Sequence, residues 1–260
     1  MDLKIACYQM DIFWHEPHRN LNKIEAVLKN HKNDFDILIL PEMFTTGFTK
    51  ENHLFLVEQQ KTIDFLKELS KKYQGIFIGS IIFQEKNQFF NRLFVVYPNG
   101  NLQFYDKRHL FTMAKEDLYY QPGKQKIIIE YKGWKILPLI CFDLRFPVWS
   151  RNELKNDKGY DLAIYVANWP KVRIEHWNAL LKARAIENQC FVIGCNRIGC
   201  DGYNIEYNGA STIYDYEGNK LAYSENQEII LQANLSYKNL INYRKNFPAF
   251  LSSDDFQIKI

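Results

Sequence analysis

Long apolar runs, an excess of charge of one sign and an even set of cysteines are all missing from this sequence of 260 residues. The longest nearly apolar run, residues 76–83, is too short to cross a bilayer. The first residues follow a strand pattern, without the basic segment and apolar stretch of a signal peptide. We therefore expect no membrane partner and a cytoplasmic location.

The charges of the chain nearly cancel. Lys and Arg together number 33 and Asp and Glu number 30, which leaves a net charge of +3. Nucleic-acid binding normally relies on a strongly basic surface that neutralises phosphates. We therefore expect no nucleic-acid partner.

Five cysteines, an odd number, indicate free thiols and not a disulfide framework. Cys190, Cys195 and Cys200 are spaced C-x4-C-x4-C, which does not match a zinc-binding spacing, and the segment between them is typical of a buried strand. We expect no metal, and nothing in the sequence requires an organic cofactor.

Short apolar runs alternate with segments of helical period, which is typical of layered α/β proteins. Apolar residues recur at helical spacing within 21–28, 63–73 and 177–184. The predicted strands are 4–9, 37–40, 76–83, 92–97, 102–106, 126–131, 135–140, 162–167, 191–196, 210–214 and 228–234. Because so many strands would curl or split as one open sheet, we predict two sheets packed face to face, with helices outside, in one domain.

Three of these apolar strands each lead into one reactive residue. They end at Leu40-Pro41-Glu42, Tyr105-Asp106-Lys107 and Leu139-Ile140-Cys141. Neighbouring strands of one sheet end side by side, at the edge where α/β active sites usually lie. We therefore predict that the carboxylate, the amine and the thiol meet in one site.

These residue types suit nucleophilic hydrolysis. A thiol attacks as its thiolate, an adjacent ammonium lowers its pKa, and a nearby base can accept its proton. The exit from the strand at Cys141 is sharp, as in a nucleophile elbow. The backbone N–H of Phe142 and the Lys107 amine could then bind an oxyanion, at roughly 3 kcal/mol per good donor.

Other interpretations of the same residues stay open. Cys141 alone could be a small buried apolar residue, Lys107 a surface lysine and Glu42 a loop carboxylate. A papain-like pair would need Cys141 beside His109 or His176, but neither histidine comes with the sequence context of that family.

Several motifs resemble those of the carbon–nitrogen hydrolase (nitrilase) superfamily, and most closely its bacterial omega-amidase subgroup. Leu-Pro-Glu at 40–42, Asp-Lys-Arg-His-Leu-Phe at 106–111 and Ile-Cys-Phe-Asp-Leu-Arg-Phe-Pro at 140–147 resemble its Glu, Lys and Cys motifs. Further similar segments are Ala-Asn-Trp-Pro at 167–170, the run 176–189, and Gly-Cys-Asn-Arg-Ile-Gly at 194–199. The resemblance covers essentially the whole chain.

The resemblance implies a four-layer αββα sandwich, and a homodimer that packs through the helices after the nucleophile. It implies Glu42 as general base, Lys107 as oxyanion stabiliser and Cys141 as nucleophile. A second glutamate of the family matches Glu116, whose alternative, given Asp117 beside it, is a charged loop residue. The tail from about residue 236 is expected to form a helix and an extension that crosses a dimer partner.

The subgroup also implies a substrate. An omega-amidase hydrolyses the terminal amide of α-keto acid amides such as α-ketoglutaramate and α-ketosuccinamate, through a cysteine thioester, to the dicarboxylic keto acid and ammonia. Arg145 matches the position that binds the remote carboxylate, although it could instead pair with Asp143.

Three aromatic residues complete the predicted substrate site. Trp169 and Phe44 would form walls, unless they are core or dimer contacts, and Phe142 would contribute its backbone N–H. The alternatives for function are another carbon–nitrogen hydrolase (an N-carbamoylase, a nitrilase or an amidase for deaminated glutathione) and a catalytically idle scaffold protein.

Overall fold

The computed structural model describes residues 1–30, 34–156 and 158–258, and this part of the chain holds thirteen strands and four α-helices. The helices are α1 (Pro17–Asn30), α2 (Glu58–Tyr73), α3 (Ile174–Asn188) and α4 (Tyr237–Asn246). The strands are β1 (Leu3–Gln9), β2 (Ile37–Ile39), β3 (Ile76–Glu85), β4 (Gln88–Val96), β5 (Leu102–Asp106), β6 (Ile129–Tyr131), β7 (Trp134–Ile140), β8 (Leu162–Ala167), β9 (Phe191–Asn196), β10 (Ile198–Cys200), β11 (Glu206–Tyr214), β12 (Lys220–Glu225) and β13 (Ile229–Leu235).

The strands form two mixed sheets. The first sheet has the order β13-β1-β2-β3-β4-β5, and β1, β2 and β3 are mutually parallel. The second sheet has the order β10-β11-β9-β8-β7-β6, with β12 paired to β11, and β7, β8 and β9 are parallel. The other pairs are antiparallel, including β4 and β5, which are joined by the turn Pro98-Asn99-Gly100.

Alternation along β1 shows how the first sheet is buried on both faces. Ile5 and Cys7 point to one side and belong to the core between the two sheets. Ala6 and Tyr8 point to the other side and pack in a second core with α1 and α2. A strand buried on both faces reads as a continuous apolar run, which is why the sequence identified it so readily.

Helix α3 covers the outer face of the second sheet. Trp177 and Leu181 project from it onto Gly194 of β9, where an added Cβ would lie 2.4 Å from Leu181 Cδ1. Only a glycine allows the helix to approach so closely. With α1 and α2 on the first sheet, this arrangement confirms the predicted αββα sandwich.

The segment after β13 forms α4, as expected from residue 236 onward. Arg244 of this helix donates to Asp161 Oδ1 at 2.7 Å and to the Tyr160 carbonyl at 2.8 Å, so the helix is tied to its own chain. No α-helix in the described ranges is long and apolar enough to cross a membrane.

One topological prediction is wrong. The strands that lead to the three reactive residues do not lie in one sheet, because β2 and β5 belong to the first sheet and β7 to the second. The residues meet across the interface between the two sheets, where strand ends from both layers face one cavity.

Candidate active site

A buried lysine lies between two carboxylates. Lys107 Nζ is 2.9 Å from Glu42 Oε1, and 3.0 and 2.9 Å from the two oxygens of Glu116. Each of the three side chains is at most 1% exposed. Burying charge is costly unless it is paired and hydrogen-bonded, so two acids around one base indicate a site kept for chemistry.

Donors from both sheets fix Glu42. Asn91 Nδ2 of β4 donates to Oε1 at 2.8 Å, and the backbone N–H of Asn168, just after β8, donates to Oε2 at 2.7 Å. The Asn168 side chain also donates to the Glu42 carbonyl at 2.6 Å. The carboxylate is therefore held in one orientation while its backbone is anchored to the opposite sheet.

Glu116 is part of the site and not a solvated loop residue. Its Oε2 accepts the backbone N–H of Phe111 at 2.6 Å, and it is fully buried, whereas the adjacent Asp117 is exposed. Lys115, in a left-handed conformation with φ of 61°, turns the chain so that Glu116 points inward.

Cys141 is the first residue of a 3-10 turn, Cys141–Arg145, directly after β7. Its φ is 44°, an uncommon conformation for a residue with a Cβ. The half-buried thiol is hydrogen-bonded with Glu42. The positive φ produces the sharp turn that was predicted at this position, because it directs the thiol out of the strand toward Glu42.

Asp143 holds this elbow in place. Its Oδ2 accepts the N–H of Ile140 at 3.1 Å and the hydroxyl of Tyr105 at 2.8 Å. Its Oδ1 accepts the N–H of His109 at 3.0 Å and lies 2.8 Å from the Nδ1 of that residue. Since Tyr105 and His109 flank Lys107 in sequence, one carboxylate ties the lysine segment to the cysteine turn.

These contacts bear on two alternatives raised above. His109 is engaged by Asp143 and His176 by Arg145, so neither histidine is placed as a partner of Cys141. The described contacts of Asp143 are with the elbow and the lysine segment, and Arg145 Nη2 donates instead to His176 Nδ1 at 3.0 Å.

The charges set the resting protonation of the site. Burial, and then the negative charge of Glu42, raise the pKa of the Cys141 thiol well above its usual value, although Lys107 acts to lower it. Burial opposes the charged form of Lys107, yet Glu116 and Glu42 outweigh it and raise the lysine pKa. Burial also raises the pKa of Glu116. Lys107 therefore lowers the thiol pKa, as expected, but burial and Glu42 outweigh it, so the net shift of the Cys141 pKa is upward and favours the thiol.

The cavity above Cys141 has a volume of about 520 Å³ including its open mouth, and five of its fourteen lining residues are aromatic. Trp169 and Phe142, two of the predicted substrate-binding residues, both line it. The lining residues are Glu42, Phe48, Lys107, Phe111, Ala114, Cys141, Phe142, Arg145, Asn168, Trp169, Pro170, Arg173, Ile205 and Tyr207.

The prediction for Phe44 requires correction. Phe44 is fully buried in the core between the first sheet and helices α1 and α2, and it is not among the lining residues. It packs on Gly79, whose added Cβ would lie 2.9 Å from the Phe44 ring. Although Phe44 is close to Glu42 in sequence, Met43 has a positive φ of 45°, and the turn there sends the two side chains apart.

Sequence reasoning missed several residues of the site. Asn91 is a polar residue in a largely apolar strand, which is a usable signal for a buried hydrogen bond. Asn168 follows a strand end, in the same kind of position as the predicted residues. Arg173 and Tyr207 carry no comparable signal, because only the folded chain brings them to the cavity.

Comparison with known proteins agrees with this arrangement. The sequence profile of the carbon–nitrogen hydrolase family matches residues 4–245. The chain is 43% identical over 257 residues to the omega-amidase YafV of Escherichia coli K12, with 98% of each chain covered. It is 35% identical over 255 residues to the 2-oxoglutaramate amidase of Bacillus subtilis, with 96% of this chain and 97% of the relative covered.

A solved structure extends the agreement to the fold. XC1258 of Xanthomonas campestris, a CN-hydrolase superfamily protein with an arsenic adduct in its active site, superposes with a TM-score of 0.95 at 36% identity over 100% of both chains. Fold and site together define a hydrolase of carbon–nitrogen bonds. The chain belongs to the carbon–nitrogen hydrolase family.

Proposed function

We propose that this protein is an omega-amidase that releases ammonia from the terminal amide of α-keto acid amides such as α-ketoglutaramate and α-ketosuccinamate. The observation that carries the proposal is the buried Glu42–Lys107–Glu116 cluster beside Cys141, in a cavity with an arginine at its wall. Relatives that cover nearly the whole chain are named omega-amidase and 2-oxoglutaramate amidase, and they support this substrate class.

In the proposed mechanism, Glu42 accepts the thiol proton as Cys141 Sγ attacks the amide carbon. A tetrahedral intermediate forms, its C–N bond breaks as Glu42 returns the proton to the leaving nitrogen, and ammonia departs. Glu42 then deprotonates a water molecule that attacks the thioester, and the carboxylic acid and the thiol are regenerated. The raised pKa of the thiol fits this scheme, because proton removal and attack are coupled.

Lys107 has a donor left for the oxyanion. An ammonium has three N–H groups, of which one is directed to Glu42 and one is shared between the two oxygens of Glu116. The third can point to the substrate oxygen together with the backbone N–H of Phe142. Glu116 is then a positioning residue, which orients Lys107 and keeps it charged.

We propose that Arg145 binds the substrate carboxylate. Its guanidinium lies in the cavity, 4.8 Å from the ring centroid of Trp169, and a planar fork of N–H groups suits a carboxylate better than an ammonium does. The amide would then lie toward Cys141 and the acid toward the mouth.

The test is ammonia release from five substrates: α-ketoglutaramate, α-ketosuccinamate, a simple nitrile, an N-carbamoyl amino acid and deaminated glutathione. We expect selective release from the two keto acid amides, and none from the Cys141→Ala variant, whose unfolding transition should match the wild type. Activity confined to another substrate would reassign the enzyme within the family. Silence on all five would favour the idle scaffold.

We propose a homodimer that packs through the chain after the nucleophile and α3, where Val148 and Ile186 are apolar yet 58% and 45% exposed. Residues 1–260 would form one hydrolase domain with an extension from about 236, in the cytoplasm. Light scattering on the full chain tests the dimer, and a monomeric mass would contradict it.

A further inference from the structure

Two guanidinium groups face the same cavity. Arg145 and Arg173 both line it, and Arg173 was not anticipated from the sequence. Within the described part of the chain, neither side chain forms an ion pair with a carboxylate; the hydrogen-bond acceptor of Arg145 is the Nδ1 of His176. Because arginine only donates, that nitrogen accepts, so this contact adds no negative charge.

Aromatic rings and a backbone contact hold the two arginines in place. Arg145 lies over Trp169, and Arg173 lies 5.3 Å from the ring centroid of Phe111. The indole N–H of Trp169 also donates to the Arg173 carbonyl at 2.8 Å. A guanidinium stacked on a ring keeps its N–H edge available to a ligand.

The positive charges of Arg145 and Arg173 are not neutralised by a nearby carboxylate in the described part of the chain. Burial, and then the positive charge of Arg173, lower the pKa of Arg145, which shows that the two cations oppose each other. Among the described lining residues the one carboxylate is that of Glu42, which is already bound by Lys107, Asn91 and Asn168. An anion at the mouth would offset this repulsion.

We propose that Arg173 is a second substrate-binding residue that determines specificity, and that with Arg145 it binds the carboxylate and the adjacent oxo oxygen of a 2-oxo acid amide. This rests on the proposed function and deepens it. The two carboxylate oxygens and the oxo oxygen can accept more hydrogen bonds than one guanidinium group can donate to them, and two guanidinium groups supply enough N–H donors. An amino acid amide such as glutamine would instead bring an ammonium group toward two cations.

The test compares substrates of matched shape. Glutaramate and glutaramide differ only in that a carboxylate is replaced by a neutral amide, and 2-oxoglutaramate adds the oxo oxygen. Arg173→Met removes the charge, and Arg173→Lys keeps the charge but loses the fork. Lys171→Met is the matched control, because Lys171 lies in the same turn, is 56% exposed and pairs with Glu206 outside the cavity.

For Arg173→Met we expect kcat/KM to fall roughly 10- to 100-fold on 2-oxoglutaramate, the range for a lost hydrogen bond to a charged group. Most of the loss should be in KM, glutaramide should be unaffected, and Arg173→Lys should lie between. Lys171→Met should behave as wild type. Equal losses on glutaramate and glutaramide, or no loss on either, would overturn the proposal.

A binding measurement separates this inference from the proposed function. In the Cys141→Ala background, calorimetry gives the Kd of 2-oxoglutaramate with and without Arg173→Met, whatever the turnover. If the wild-type protein releases no ammonia but Arg173→Met still weakens binding in the Cys141→Ala background, the anion site is supported and the amidase function is refuted. If Arg173→Met fails to fold, Arg173→Lys decides: an unchanged preference for 2-oxoglutaramate over glutaramate would refute the role of the fork.

Discussion

Replacing Asp143 with asparagine should destabilise the protein far more than its near-isosteric shape suggests. The carboxylate accepts two donors on each oxygen: the N–H and Nδ1 of His109 on one, the hydroxyl of Tyr105 and the N–H of Ile140 on the other. An asparagine offers a single acceptor oxygen. Whichever way its amide is turned, the NH2 group faces a backbone N–H, either that of His109 or that of Ile140.

The geometry gives the magnitude. The hydroxyl of Tyr105 can rotate and the ring of His109 can change tautomer, but a backbone N–H cannot become an acceptor. In either orientation one backbone N–H loses its hydrogen bond to a charged group, a contribution of about 1.5–3 kcal/mol, so the free energy of unfolding should fall by about that amount. Water cannot compensate, because Asp143 is fully buried.

Urea denaturation followed by far-UV circular dichroism measures this change, as a lower midpoint at an unchanged m-value. Asp215→Asn is the matched control: Asp215 also accepts backbone N–H groups, from Glu217 and Asn219, but in a partly exposed turn, so its loss should stay below about 1 kcal/mol. A similar small loss for Asp143→Asn would refute the view that Asp143 holds the nucleophile turn by buried hydrogen bonds.

Two further predictions concern the charges of the site. Glu116→Gln removes a negative charge that raises the pKa of Cys141, so alkylation of this thiol by iodoacetamide should begin at lower pH. The measurement uses a Cys200→Ser background, because Cys200 is an exposed thiol that would also react. An unchanged pH profile would contradict this prediction. His176→Leu removes the acceptor that orients Arg145 and should raise KM several-fold for glutaramate but not for glutaramide. His176→Asn should retain most of the wild-type preference for glutaramate over glutaramide. Equal effects of the two variants would contradict a positioning role.

Most of the secondary structure could be predicted from the sequence, for a physical reason. Each of the eleven predicted strands corresponds to an observed strand, because a buried strand shows itself as an apolar run. The two strands that were missed, β10 and β12, give no such signal. Strand β10 spans three residues around Gly199, and β12 is an edge strand whose polar residues, such as Lys220 and Glu225, face water.

The sequence also predicted that Glu42, Lys107 and Cys141 lie together, but it did not predict that their strands belong to two different sheets. Each follows an apolar strand, and strand ends gather at the rim of the sandwich. An apolar run indicates that a strand is buried without indicating which strand lies beside it. The sequence therefore could not assign each strand to one of the two predicted sheets. Phe44 shows the same limit at short range, since the direction of its side chain depends on the positive φ of Met43.

The sign of the thiol pKa shift shows why residue types alone do not determine reactivity. Lys107 does lower the pKa of Cys141, as its charge requires, but burial raises that pKa most, and Glu42 and Glu116 raise it further. Because burial is the largest of these effects and exceeds the lowering by Lys107, the lysine alone would not make the thiolate the resting form. The two neighbouring carboxylates oppose ionisation of the thiol further. In the proposed mechanism the proton therefore moves to Glu42 as the sulfur attacks, while Lys107 directs its remaining N–H to the new oxyanion.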